Sequence, residues 1–307
     1  YAGIHSAVAS NGLANQPMLL AAVGLLLAGL AFKIAAFPFH AWAPDAYQGA
    51  GTPVAAFLAT ASKAAGLAAL GRVCLVALET DGPVVSGLLM VVAALSILVG
   101  SIITVAQTDM KRLLAYSSIS HAGYALLGFV AATSDSATPA LAADGAAASM
   151  AYAFLYVFMT LGMFGILIGL GQRGASLDDY QGLAAQRPGV AALMLLFLLS
   201  LAGIPPTAGF TAKFGVLLAV VRAGYWGLAI LAVICSVITA FVYLRVAVLM
   251  YMKEPEKSVP ARFTWAVSSA LAVAALVTMI GGIFPAATLM DGIFPDFVPV
   301  WAISPGN

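Results

Sequence analysis

Three lysines lie within long apolar stretches of the chain, where a charged side chain is costly. They are Lys33, Lys63 and Lys213. An ammonium group at the centre of a bilayer costs about 3 kcal/mol on insertion scales, so such residues usually face a polar interior and mark proton or ion pathways. Removal from water favours the neutral amine over the ammonium, and a proton carrier needs this property. The three lysines are therefore candidate members of a proton pathway.

A purely structural role is the alternative for each lysine. Lys33 precedes Pro38 by five residues, so its long side chain can also reach the membrane surface. Lys63 lies about 15 Å along the axis of its predicted helix, which is too deep for that. Lys213 follows the pair Pro205-Pro206 by seven residues. Because the apolar stretches contain no Asp or Glu, an acidic partner must come from other sequence or another subunit.

Polar residues at helical spacing suggest how protons could move between these lysines. Ser117, His121 and Tyr124 share one helix face, and an unperturbed imidazole titrates at about pH 6.5. A neutral histidine that bonds to a neighbouring helix remains the alternative. A second stripe includes Thr104, a further candidate for a polar relay. Hydroxyls at this spacing more often bond carbonyls of their own helix, and that interpretation is favoured for Thr104.

Composition indicates the kind of protein that positions these residues. The chain of 307 residues has 13 Lys or Arg and 12 Asp or Glu, so charged residues make up 8%. Soluble domains contain about 25%. This composition excludes a soluble globule and a disordered chain, and the net charge of +1 excludes a basic nucleic-acid binder. A polytopic membrane protein remains, with the lipid bilayer as its surroundings and no nucleic-acid partner.

Apolar runs between charges predict an all-α fold, a single membrane domain over residues 1–307 with about eight transmembrane helices. The predicted spans are 17–37, 53–78, 83–107, 112–132, 146–171, 189–222, 225–251 and 264–284. Gly203, Pro205 and Pro206 interrupt the sixth, because adjacent prolines remove two backbone donors and clash with the preceding turn. Pro38 breaks the end of the first. Paired broken helices are typical of a transport site between structural repeats.

Loop charges predict the orientation, because positive residues remain on the cytoplasmic side of a membrane. The loops after spans three, five and seven hold Lys111, Arg112, Arg173, Arg187, Lys253, Lys257 and Arg262. Arg222 alone lies on the other side, with Asp135, Asp144, Asp291 and Asp296. The C-terminus is then expected on the outer side. Because the chain begins at Tyr1 and has no charged leader, we also expect an N-terminal portion to precede it.

Motifs for other chemistry are missing from the sequence. It has no glycine-rich phosphate loop, no Cys/His metal spacing and no nucleophile–base pair. His40 and Asp45 alone are too few ligands for zinc. We therefore expect no catalytic residue, metal site or redox cofactor in the chain itself.

Four motifs carry a resemblance to a known family. They are FKIAAFPFHAWAPDAYQG at residues 32–49, TPV and TASK at 52–54 and 60–63, DMKRLLAYSSISHAGY at 109–124, and LAGIPPTAGFTAK at 201–213. Together they resemble the antiporter-like membrane subunits of respiratory complex I. YQG at 47–49 and ATASK at 59–63 are features of one member type, since larger members often carry a Leu-His-Ala type sequence.

The resemblance implies an inverted-repeat, antiporter-like fold of about fourteen spans, of which this chain is similar to the last eight. Lys33 matches a lysine that pairs with a glutamate on an earlier span, Lys63 a connecting lysine, and Lys213 a lysine near the outer exit. His121 matches a histidine between them. The implied function is proton translocation in a bacterial NADH:quinone oxidoreductase of the inner membrane, as part of a translocase. FMN, iron–sulfur clusters and quinone would belong to partner subunits, with antiporter-like and small membrane subunits alongside.

The sequence is also compatible with two other functions. Subunits of multisubunit cation/proton antiporters share the fold and the lysines that the resemblance implies. The other hypothesis is a purely structural membrane subunit, in which the lysines only pack against other residues or bind lipid.

Overall fold

The computed structural model describes residues 17–77, 82–171, 175–255 and 262–283. Their regular structure is helical, and the one β-bridge recorded among them joins Asp109 to Ser176. The all-α class is therefore confirmed. The helices are α1 (Pro17–Lys33), α2 (Trp42–Gly49), α3 (Thr52–Ala59), α4 (Ala61–Arg72, followed by a π-turn at Val73–Ala77), α5 (Gly82–Val105), α6 (Met110–Ala132), α7 (Pro139–Leu170), α8 (Leu183–Gln186), α9 (Pro188–Ala202), α10 (Ala208–Arg222), α11 (Trp226–Met252) and α12 (Trp265–Ile283).

Six helical stretches in the described residues are long and apolar enough to cross a membrane. They are Thr52–Leu75, Val84–Val105, Met110–Ala132, Pro139–Leu170, Trp226–Met252 and Trp265–Ile283. Helices α1 and α9 are apolar but shorter. The chain thus fits a multi-pass membrane protein, while the count of eight spans stays a prediction.

Helix α7 begins earlier than the sequence suggested. Its predicted start was residue 146, but the helix begins at Pro139. Thr138 caps it by accepting a hydrogen bond from the Leu141 amide at 3.2 Å, and proline is favoured in the first turn because its missing N–H is not needed there. Asp144, which suggested a loop, lies inside the helix and pairs with Arg222 at 3.2 Å.

The second predicted span, 53–78, is not one continuous helix. It breaks at Thr60, between α3 and α4, where φ is −116° and ψ is −87°. The Thr60 hydroxyl donates to the Ala56 carbonyl at 2.6 Å, a bond to residue i−4 that bends helices. The break lies three residues before Lys63, and neither proline nor glycine marks it in the sequence.

The two breaks expected at prolines have different forms. Helix α1 ends at Lys33, and the chain then turns through Ala35, whose φ of 55° is left-handed although it is not a glycine. Helix α9 ends at Ala202, and α10 begins at Ala208 after a segment containing Gly203, Pro205 and Pro206. Gly203 has a φ of 83°, which glycine adopts without steric cost.

Contacts between the loops show that they lie on two faces of the bundle. On one face, Arg112 pairs with Asp45 at 2.7 Å and Lys111 donates to the Ala50 carbonyl at 3.0 Å. The Leu177 amide bonds to Thr108 there. We call this the Arg112 face. On the other, the Arg222 face, Arg222 meets Asp144, and loops 133–138 and 223–225 join through Ser136.

Helix α6 is the centre of the bundle, and its residues from Leu113 onward are nearly all buried. It packs closely against α5 and α7 because glycines bring the backbones together. A Cβ added to Gly128 would lie 2.2 Å from the Gly145 carbonyl oxygen of α7. A Cβ added to Gly123 would lie 2.8 Å from the Ala93 carbonyl oxygen of α5. The polar residues of α6 are thereby held against two neighbouring helices.

Candidate functional site

Lys63 lies on α4 with its side chain enclosed, since the residue is 1% exposed. Its Nζ donates to the carbonyl oxygen and to the hydroxyl of Ser118 on α6, both at 2.8 Å. The Ser118 hydroxyl in turn donates to the Ala115 carbonyl at 2.6 Å. Both partners of Lys63 in the described residues are therefore uncharged, and an ammonium has three N–H donors for these two acceptors.

His121 lies one turn further along α6 and connects three helices. Its Nδ1 is 2.7 Å from the hydroxyl of Tyr152 on α7, and its Nε2 is 3.4 Å from the hydroxyl of Tyr243 on α11. The Tyr243 hydroxyl also makes a short hydrogen bond with Ser117. A neutral imidazole has one donor and one acceptor nitrogen, and either phenol can match either role. Protonation of both nitrogens would require both phenols to accept.

Lys213 on α10 fills the helix break that precedes it. Its Nζ donates to the carbonyls of Leu201 and Ala202 at 3.1 and 2.8 Å, and to the Ser236 hydroxyl at 3.0 Å. The ammonium thus caps the C-terminal end of α9, where the helix dipole favours a cation. A Cβ at Gly203 would lie 2.8 Å from Lys213 Cδ, so the side chain needs a glycine there.

Tyr124 separates His121 from Lys213. Its ring centroid is 5.0 Å from Lys213 Nζ, a cation–π distance, and the ring stacks on Tyr152 at 6.3 Å. Its hydroxyl donates to the Ala232 carbonyl at 2.6 Å. We call the residues between Lys63 and Lys213 the polar seam; they are Ser117, Ser118, His121, Tyr124, Tyr152, Tyr156 and Tyr243.

The structure thus places two of the three predicted lysines at the ends of one buried seam, and His121, Ser117 and Tyr124 within it. Lys33 lies apart from the seam at the end of α1, with an exposed side chain that passes Gly66 of α4. Thr104 also lies apart, since its hydroxyl donates to the Gly100 carbonyl of its own helix at 2.5 Å. Pro38, Gly203, Pro205 and Pro206 all lie in the non-helical segments described above.

Sequence reasoning missed the partners that the neighbouring helices supply. Tyr152 and Tyr156 belong to a buried polar row on α7 whose spacing of three or four residues places it on one face: Ser149, Tyr152, Tyr156 and Thr160. Tyrosines in membrane proteins favour the interfaces, so tyrosines in the middle of a span were a usable signal. Tyr243, in the middle of the predicted span 225–251, carried the same signal. Ser118 and Ser236 did not, because a serine hydroxyl in an apolar helix is common.

The charged pairs lie at the surface, away from the seam. Asp45 with Arg112 and Asp144 with Arg222 occupy opposite faces of the bundle. Arg245 of α11 donates to the carbonyls of Val105 and Gln107 at 3.1 and 2.8 Å, and so caps the end of α5. In the described part of the chain, no group of three or more His, Cys, Asp or Glu is placed to bind a metal.

Known families provide an independent comparison. The family model described as NADH:quinone oxidoreductase/Mrp antiporter, TM matches residues 3–239. NADH-quinone oxidoreductase subunit N 2 of Rhizobium meliloti is 46% identical over 288 residues, which are 91% of this chain and 57% of that protein. Subunit N of Desulfovibrio desulfuricans is 44% identical over 297 residues, or 93% and 56%. The chain therefore spans somewhat more than half the length of these relatives.

Solved structures of membrane complexes contain chains with a similar fold. A chain of respiratory complex I from Thermus thermophilus with bound aureothin has a TM-score of 0.75 at 35% identity, covering 90% of this chain and 59% of that one. A chain of the Mrp complex from Dietzia sp. has a TM-score of 0.81 at 22% identity, covering 98% and 63%. The second likeness is one of fold alone.

Proposed function

Because this chain belongs to the NADH:quinone oxidoreductase/Mrp antiporter transmembrane family, we propose that it translocates protons as a membrane subunit of an NADH:quinone oxidoreductase. The relatives that support this are named subunit N, the member type indicated by residues 47–49 and 59–63. The observation that carries the proposal is the buried polar seam between Lys63 and Lys213.

The residues of the seam suit proton transfer. Lys63 holds a proton against uncharged acceptors, so its proton is not locked in an ion pair. His121 has a phenol at each ring nitrogen and passes a proton by accepting it at one nitrogen and releasing another from the other. Lys213 receives the proton on an amine enclosed by carbonyls at a helix end.

Electrostatics makes the two ends of the seam interdependent. Like charges repel more strongly in a protein interior than in water, because the surroundings are less polarisable. A proton that arrives at Lys63 therefore favours release from Lys213. A redox-driven change of charge near one lysine would affect proton binding at the other through the same repulsion.

Lys33 would join this path only with an acidic partner. It is exposed at the end of α1, and the resemblance implies a glutamate from an earlier span. Electron transfer would take place in partner subunits that carry FMN, iron–sulfur clusters and quinone. Those partners, including neighbouring antiporter-like and small membrane subunits, are part of the proposal.

The proposed location is the bacterial inner membrane, with the Arg112 face toward the cytoplasm. Lys111 and Arg112 lie on that face, and backbone bonds from Leu177 to Thr108 and from Gly182 to Leu249 bring the segments that precede Arg187 and Lys253 to it. Arg222 lies on the other face, and the positive-inside rule supports this orientation. The predicted outer C-terminus belongs to residues 284–307, which lie outside the described residues.

Membership of a cation/proton antiporter is the second candidate, since the Mrp chain shares the fold. The two candidates differ in what accompanies this chain. An oxidoreductase purified with it carries flavin and iron–sulfur absorbance, which an antiporter lacks.

The proposal is tested by Lys213→Ala in the assembled complex. We expect proton transfer through this chain to slow by about tenfold or more, as the loss of a group worth about 1.4 kcal/mol to the barrier would cause. Lys253→Ala is the control, because Lys253 is exposed at the end of α11. Proton translocation by reconstituted complexes is the measurement, and wild-type translocation by Lys213→Ala would contradict the role of Lys213.

A further inference from the structure

The break between α9 and α10 satisfies all of the last four carbonyl groups of α9. Those of Leu199 and Ser200 accept from the amides of residues 203–204 at 3.0 and 2.9 Å, which is the pattern of a Schellman motif. Those of residues 201–202 accept from Lys213 Nζ of α10 at 3.1 and 2.8 Å. Because the last four carbonyls of a helix have no partners within that helix, Lys213 completes the cap of α9.

The first turn of α10 is capped in turn from α9. Thr207 is the residue whose side chain would ordinarily cap this end, but its hydroxyl donates to the Ile204 carbonyl at 2.7 Å. The Gly209 amide donates instead to the hydroxyl of Ser200 at 3.0 Å. Each half of the broken span therefore caps the other, Ser200 from α9 and Lys213 from α10.

The Ser200 hydroxyl is held in one orientation by α7. The residue is 0% exposed, and its hydroxyl donates to Met159 Sδ at 2.8 Å. A hydroxyl has one donor and two acceptor lone pairs, so the lone pairs are left for the Gly209 amide. A Cβ at Gly209 would overlap the Ser200 carbonyl group, so a glycine is needed for this approach. Helices α7 and α9 together determine where α10 begins.

The start of α10 determines where Lys213 lies. Lys213 follows Gly209 by four residues, so the two share one face of α10, about 6 Å apart along the helix axis. If Gly209 moves away from Ser200, the stem of the lysine moves with it relative to the end of α9. A further separation of about 1 Å would take Nζ beyond hydrogen-bond distance of the carbonyls at that end.

We propose that Ser200 is a positioning residue for proton transfer at Lys213. Its hydroxyl fixes the first turn of α10 against α9 and so holds the Lys213 amine against the carbonyls of residues 201–202. Proton transfer needs donor and acceptor within hydrogen-bond distance, so a displaced amine exchanges protons more slowly. The effect on proton transfer rests on the proposed function, whereas the placement of the side chain does not.

The placement is tested by a cryo-EM map of the assembled complex that carries Ser200→Ala. Alanine is a stronger helix former than serine, so α9 should remain helical while only the oxygen is lost. We expect the distance from Lys213 Nζ to the Ala202 carbonyl oxygen to increase from 2.8 Å to more than about 3.5 Å. A Lys213 side chain in its wild-type place would overturn the inference.

Proton translocation per assembled complex tests the consequence. We expect Ser200→Ala to lower it about fivefold, the effect of losing one ordinary hydrogen bond. Ser86→Ala is the matched control and should keep the wild-type value, because Ser86 is also buried but its hydroxyl donates to the Val130 carbonyl at 3.2 Å and so joins α5 to α6.

A double variant separates positioning from a merely structural role. If Ser200 acts through Lys213, Ser200→Ala should cause no further decrease in a complex that already carries Lys213→Ala. A structural defect would add its own decrease, and an additive result would overturn the positioning role.

The outcomes also distinguish this inference from the proposed function. Wild-type translocation by Ser200→Ala, together with a defect in Lys213→Ala, overturns the role of Ser200 alone. Wild-type translocation by Lys213→Ala overturns the proposed function, whereas a displaced lysine in the map of Ser200→Ala would still support Ser200 as the residue that places it.

Discussion

The two buried lysines are held in different ways, and this difference suggests different roles. Lys213 has three acceptors, two of them carbonyls at the end of α9, which favour its charged form through the helix dipole. Lys63 has two acceptors from one serine and no helix end. Lys213 therefore also stabilises the break between α9 and α10, whereas the hydrogen bonds of Lys63 link α4 to α6 alone.

His121 has a structural and a functional interpretation, and substitution separates them. His121→Gln keeps hydrogen-bonding capacity toward Tyr152 and Tyr243 but does not titrate. If His121 carries protons, translocation should fall by about tenfold while assembly is retained. His121→Leu, which removes both functions, should also reduce assembly. The measurement is translocation per assembled complex, and a wild-type value for His121→Gln would favour the structural interpretation.

Whether a residue of the site can be predicted from the sequence depends on whether its type is unusual for its position. A lysine in an apolar stretch is conspicuous whatever it contacts, so Lys63 and Lys213 could be identified from sequence. The distinction between Lys33 and the other two could not, because exposure depends on which helices pack around a position. The contacts of Ser118 and Tyr243 could not be predicted either, since their partners Lys63 and His121 lie 55 and 122 positions away in the sequence.

Helix packing holds the residues of the seam in place, and α6 approaches α7 closely at Gly128. Gly128→Ala should destabilise the fold by about 1–3 kcal/mol, because the new Cβ would lie 2.2 Å from the Gly145 carbonyl oxygen and the helices must separate. Gly87→Ala on α5 is the control, since a Cβ there meets nothing within 4 Å. Thermal unfolding of the detergent-solubilised complex checks this, and equal midpoints for the two variants would contradict it.

The helix boundaries show where the local sequence is sufficient to predict the end of a helix and where it is not. The break before Lys213 could be predicted because adjacent prolines cannot continue a helix. The break at Thr60 could not, because threonine is compatible with a helix, and the non-helical dihedral angles of Thr60 and its bond to Ala56 are visible only in the structure. The start of α7 was placed seven residues late because Asp144 was assigned to a loop, although its charge is matched by Arg222 from another helix.

The whole molecule has two faces, and its orientation in the membrane can be measured. Gln48→Cys lies exposed on the Arg112 face and Asp135→Cys lies exposed on the Arg222 face. A membrane-impermeant maleimide should label Gln48→Cys only from the cytoplasmic side and Asp135→Cys only from the outer side. Cys74 and Cys235 are buried and should remain unlabelled, which provides the background. Labelling of both variants from one side would contradict the arrangement.

In the proposed function, protons cross this subunit along the seam that begins at Lys63. The most direct test is the number of protons translocated per NADH oxidised by reconstituted complexes that carry Lys63→Met, a neutral side chain of similar length. We expect a lower ratio or a proportional loss of turnover, while Lys253→Met at the exposed end of α11 keeps wild-type values. A Lys63→Met complex with both the wild-type ratio and the wild-type turnover would contradict it.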